Sequence, residues 1–142
     1  MLKTRLTSCA GWAVLLLATS VLAQGQDERT RVFDAPVDRV WTVTRSTLKS
    51  FGWEVDKEDK QVGWLLTDSR RLEGDDFGVY AKGTKNRLRV VLKSVAANKT
   101  SVTIERRVWK EERILWMDKD EEIKILDRSL EKEILDAIGA AI

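Results

Sequence analysis

Residues 24–29 are polar and without period, and the first apolar group after them, Arg31-Val32-Phe33, predicts the opening strand of the folded part. Behind it Val37, Val40, Trp41, Leu48 and Phe51 recur at helical spacing, with polar Thr44 in the same stripe. That pattern predicts an amphipathic helix over 36–51, with Trp41 on its buried side. Pro36 suits the first turn, where a missing N–H costs nothing, and Gly52 suits the left-handed position that ends a helix. Trp53-Glu54-Val55 and Val62 to Thr67 read as a hairpin joined by a charged turn, 56–60. The stretch 68–85 mixes Gly74, Gly78 and Gly83 with Asp75, Asp76 and Lys85, and reads as irregular apart from a short edge strand at 78–82.

Farther on, Leu88, Val90 and Leu92 alternate with Arg87, Arg89 and Lys93, and Val102, Ile104 and Val108 alternate with Thr103, Glu105 and Arg107. With a turn at 96–99 these form an antiparallel hairpin with one apolar and one polar face. Ile123, Leu126, Leu130, Ile134 and Ile138 then predict a long C-terminal helix over 123–140, with Glu131 and Lys132 on its outer side. The order of elements predicts an α+β domain over 30–142, an antiparallel sheet packed on an N-terminal and a C-terminal helix in a helix-grip-like arrangement.

The first 23 residues have another character. Lys3 and Arg5 precede an apolar run around Trp12 to Leu17, and Val21-Leu22-Ala23 ends on a small residue, the order of a secretory signal. Cleavage is expected after Ala23, leaving 24–29 as a flexible leader and placing the domain in the periplasm or outside the cell. Leu6-Thr7-Ser8-Cys9 has the residue types of a lipoprotein box, but the apolar run follows the cysteine instead of preceding it. A lipid anchor at Cys9 is therefore not expected. The signal also contains the only cysteine, so the exported domain relies on its core without disulfides.

Charge narrows the function classes. The chain has 25 basic and 23 acidic side chains, and removing Lys3 and Arg5 with the signal leaves 25 − 2 = 23 of each sign. No global field remains to attract nucleic acid or an anionic membrane, and no integral membrane segment is expected in the mature chain. Histidine is absent throughout, which closes His-based acid/base catalysis, Ser-His and Cys-His nucleophiles, and imidazole metal sites. Asp75-Asp76 on a glycine-containing loop has the oxygen ligands a hard cation accepts but not the spacing of an EF-hand. Glu111-Glu112 and Glu121-Glu122 are adjacent on single elements, where two carboxyls point apart instead of across a sugar. The expectation is a non-enzymatic protein with no catalytic, cofactor-binding or metal-ligating residues.

Short motifs carry a resemblance. Val32-Phe33-Asp34-Ala35-Pro36 leading into Val40-Trp41, then Gly52-Trp53-Glu54-Val55, then Gly63-Trp64-Leu65, resemble the helix-grip domains of the outer-membrane assembly lipoprotein BamC over most of 30–140. The chain differs in having one such domain instead of two and in lacking a suitably placed anchor cysteine. What the resemblance implies is an envelope-assembly module whose partner is another envelope protein.

Tryptophan supplies the candidate contact. Trp41, Trp53 and Trp64 lie among apolar positions and are expected in the core. Trp109 has two readings: if the alternation set by Val102, Ile104 and Val108 persists it joins Arg107 on the polar face, whereas a bulge near Val108 turns it inward. On the first reading Arg87, Arg89, Arg107 and Trp109, with Lys93 and Glu105 beside them, form a partner-binding face. The alternative is a carrier that holds a small apolar ligand between the sheet and the C-terminal helix, which requires an unfilled interior.

Overall fold

The computed structural model describes residues 27–142; the basic start, the apolar run, Cys9 and the expected cleavage point after Ala23 lie outside the described residues. Within them the elements run β1 (Thr30–Phe33), α1 (Val37–Ser50), β2 (Val55–Asp59), β3 (Trp64–Thr67), β4 (Arg70–Asp76), β5 (Tyr80–Ala96), β6 (Lys99–Ile114), β7 (Met117–Ile123) and α2 (Ser129–Ala141). The class is α+β: an open, antiparallel, seven-stranded sheet with the N-terminal and C-terminal helices on one face. Its main path is β1-β6-β5-β3-β2, and farther along the two central strands β4 adds to β5 and β7 to β6.

Helix α1 buries Val40, Trp41, Thr44 and Leu48 of the expected stripe and Thr47 beside it, with Val37 and Phe51 partly buried. Pro36 stands just outside it as the N-cap, in extended conformation with ψ 151°, one position earlier than expected. Its carbonyl still accepts the Val40 N–H at 3.1 Å, so the ring starts the helix without costing a bond. At the other end Gly52 has φ +76°, its N–H reaches Lys49 O at 2.8 Å, and the Trp53 N–H reaches Leu48 O at 2.8 Å. These paired bonds are a Schellman cap, and its usual apolar contact is supplied by Trp53 and Leu48 in the core.

The core lies between the helices and the lower half of the long hairpin. Leu88, Val90 and Leu92 of β5, Val102 and Ile104 of β6, and Ile134, Leu135 and Ile138 of α2 are closed to solvent with Leu48 and Leu65. Each such side chain contributes roughly 1.5–3 kcal/mol of burial. All of the core cluster falls between Phe33 and Ile142, inside the described residues.

Past Asn86 and Val108 the central strands run on without a helix beneath them. Tyr80–Asn86 pairs with Val108–Ile114 in unbroken register, flanked by β4 and β7, and forms a four-stranded arm. Six residues of strand carry its end about 20 Å beyond the covered part of the sheet. Glu111 holds the arm's outer face together: nearly buried, it accepts Lys85 Nζ at 2.7 Å and Arg71 Nη2 at 3.0 Å. At Gly74, with φ +94°, a Cβ would lie 2.1 Å from Lys82 O, so the β4 backbone approaches β5 as only glycine allows.

Several expectations are corrected. Strand β2 extends through the supposed charged turn to Asp59, and the supposed irregular stretch 68–85 is mostly β4 and the start of β5. Residues 123–128 are not helical: Ile123 ends β7, and α2 starts at Ser129, leaving Leu126 84% exposed. Glu131 is not on the outer side but fully buried, between Arg106 and Arg128. Trp41 and Trp53 are buried as expected, whereas Trp64 is not in the core. Just before β1, Thr30 N–H donates to Asp27 O and Arg29 Nη2 lies 2.6 Å from Asp27 Oδ2, both local contacts. Hydrogen bonds from Arg29 hold the Asp27 carboxyl at about 2, well below its ordinary value.

Candidate functional site

Side chains alternate across a strand, so the face of the sheet opposite the helices is fixed by the register. It carries Arg87, Arg89, Val91 and Lys93 from β5, opposite Arg107, Glu105, Thr103 and Ser101 of β6. The ladder has no register shift between Tyr80 and Ser94, so no bulge turns Trp109 inward. Of the two readings the outward one holds: Trp109 is half-buried on the polar face, opposite Lys85 on one side and Glu122 on the other. The structure therefore brings Arg87, Arg89, Arg107 and Trp109 onto one surface.

Their charges are not equally available. Arg107 donates Nε and Nη2 to the two oxygens of Glu122 at 3.0 and 2.8 Å, a bidentate pair. That hydrogen bonding lowers the Glu122 pKa and raises that of Arg107. Arg89 Nη1 lies 3.7 Å from Glu105 Oε2 in an exposed pair of little energetic weight. Arg87 forms no ion pair among the described residues; its guanidinium lies 5.8 Å from the Trp109 ring centroid and 3.4 Å from Ser69 Oγ, and its Nε is buried without a partner. The face expected to be basic is thus close to neutral, with Arg87 its one uncompensated guanidinium beside the indole.

Two open depressions mark the surface. Arg87, Arg107, Trp109, Asp120 and Glu122 line one of about 300 Å³. Its neighbour of about 480 Å³ is lined by Trp64 and Val91 together with Val62, Arg89, Lys93 and Glu105. Trp64 and β7's Asp120 and Glu122 are site residues that sequence reasoning missed. For Trp64 a signal was present: Trp64-Leu65-Leu66-Thr67 alternates, and with Leu65 inward Trp64 must point outward.

An indole beside a guanidinium, with paired charges around it, suits the recognition of planar or apolar groups carrying a carboxylate. Arginine stays protonated at any physiological pH and moves no proton. Among the described residues no three Asp, Glu or Cys side chains gather as a metal would require. Of the acidic pair Asp75-Asp76, Asp76 accepts the Gly78 N–H at 2.9 Å and lies 3.3 Å from Arg71 Nη2, and Asp75 stands opposite Lys82 in the ladder. Neither a family model nor a curated protein matches the chain.

Proposed function

We propose that the chain is a non-enzymatic, exported binding module that acts in the cell envelope through protein contacts on the uncovered face of its sheet. The observation that carries this reading is the pair of half-buried tryptophans, Trp64 and Trp109, on a sheet face that neither helix covers. They lie about 20 Å apart along the strands, a span that matches one standard protein interface. Tryptophan and arginine are the side chains that most often anchor such contacts once water is excluded. Arg87 is the anchor's charged member, placed to meet a carboxylate of the partner, and the paired Arg107–Glu122 and Arg89–Glu105 form a polar rim.

The carrier reading finds less support. The space between α2 and the sheet is occupied by Leu88, Val90, Ile104, Ile134 and Ile138, all at zero exposure. A ligand there would have to displace packed side chains.

A photo-crosslinking residue placed at position 109 or 64 in living cells tests the proposal, with position 132 on the exposed side of α2 as the control. Discrete protein adducts from 109 and 64, absent at 132, are expected. Adducts no stronger than the control's at both positions would remove this face from consideration.

A further inference from the structure

The arm ends in a second surface unlike the first. Its two turns bring together Phe77, Val79 and Tyr80 from one loop and Ile114 to Met117 from the other, and the Leu115 N–H bonds Val79 O to join them. Trp116 is 84% exposed, Phe77 72%, Val79 65% and Met117 62%. The patch is on the order of several hundred Å², at the upper end of what a monomer leaves in water. No charged side chain lies within either turn.

We infer that this tip is a membrane-contact site, which inserts into the interfacial layer of a lipid bilayer with a neutral, zwitterionic headgroup surface. The geometry of the turn is the first support. Leu115 has φ +58°, a conformation that two-residue hairpin turns ordinarily give to Gly, Asn or Asp. Here the turn spends that position on Leu115 and follows it with the exposed Trp116, a choice that neither turn stability nor solubility favours.

The second support is the backbone. A segment entering lipid must satisfy its own polar groups, because no water follows it. At this tip the N–H groups of Phe77, Val79 and Leu115 bond Tyr80 O, Phe77 O and Val79 O at 2.8, 3.1 and 2.6 Å, and the Gly78 N–H bonds Asp76 Oδ1. Charge is the third. Immediately behind the turns, Arg113 is held at 2.6 Å from Asp118 and 3.8 Å from Asp76, so the collar presents both signs with no excess of basic charge. A collar of mixed sign complements a headgroup layer of phosphate and ammonium, and does not select anionic lipid. Trp116 and Tyr80 are the side chains that settle at that depth.

Shape decides between lipid and a second copy of the chain. A patch of several hundred Å² is well short of the roughly 800 Å² per partner that a stable dimer needs. Acyl chains conform to an irregular apolar tip and cover all of it. The arm also lifts the tip about 20 Å clear of the helix layer, so contact with a flat bilayer meets no obstruction.

The test is flotation of residues 27–142, which include the entire core and exclude the apolar N-terminal run, with phosphatidylcholine vesicles. The comparison is a Phe77→Ser, Trp116→Ser double variant whose melting curve matches the wild type. Expected is co-flotation of the wild type and a loss of at least about tenfold in partitioning by the variant. Raising salt from about 50 to about 500 mM should change wild-type partitioning by less than about twofold, because the vesicle surface carries no net charge and the contact is apolar. Equal partitioning of both proteins would overturn the inference. So would a wild type that stays in the aqueous phase, whether monomeric, dimeric through the tip, or engaged there by a protein.

Discussion

Glu131 takes a carboxylate into the interior with no exposed surface, and two guanidinium groups meet it there. Arg128 Nη1 donates to one oxygen at 3.0 Å, and Arg106 Nε lies 3.7 Å from the other. Removing one member of a buried group of charges costs more than the group ever contributed, because the remaining charges lose their partner without regaining water. Glu131→Ala is therefore expected to destabilise the fold by ~3 kcal/mol, read from the shift in a urea denaturation midpoint. A shift below about 0.5 kcal/mol would mean that water reaches Arg106 and Arg128 freely. The sequence hides this arrangement, since a charged residue normally marks a helix's outer side. Glu131 and Leu135 in fact share the buried stripe with the expected Ile134 and Ile138, whereas Leu126 lies before the helix and outside it. Trp64 is a related case: an apolar side chain was read as interior, although its alternation with Leu65 places it outside. Trp109 could be placed only by the absence of a bulge, which depends on pairing partners that the sequence does not name.

At the scale of elements, the two helices and the covered hairpin were legible because each has one apolar face against the core. The arm was not. Strand β7, Met117-Asp118-Lys119-Asp120-Glu121-Glu122-Ile123, has apolar residues only at its ends, and β4 has Leu72 alone, so neither shows a period of two. Their cohesion comes from ladder hydrogen bonds and from charges across strands, including Arg107–Glu122, Arg113–Asp118 and the pairs around Glu111. Such an element depends on pH through its exposed carboxylates. The Arg107 hydrogen bond lowers the Glu122 pKa, and the Gly78 N–H lowers that of Asp76. A lowered folded value means that the stabilisation is complete above the unfolded value, near about 4, and disappears as pH falls through the folded one. The arm should accordingly loosen as pH falls below about 4 while the core rows persist. Amide exchange followed by NMR checks this: β7 protection should fall on acidification below about pH 4 while Leu88–Leu92 stays protected. Simultaneous loss in both regions would show that the arm and the core form one cooperative unit.

The molecule as a whole combines a helix-covered base with an uncovered arm, and its two candidate contacts lie on different parts: Trp64 and Trp109 on the open sheet face, Phe77 and Trp116 at the far end. A compact chain of this described length would have a radius of gyration of about 13 Å. The arm should raise that value and give the distance distribution from X-ray scattering a long tail. A symmetric distribution at about 13 Å would mean that the arm folds back in solution. The continuous β5–β6 ladder has a mechanical consequence as well. Its only register shift is between Ser94 and Ala96, at the end remote from the tip, so the stretch between the tip and the core has no place to bend. The same two strands that reach Tyr80 and Ile114 also support Leu88, Val90, Val102 and Ile104 beneath the helices. The protein is in this respect a lever without a joint: a push on its tip is delivered as torque on the packed interior.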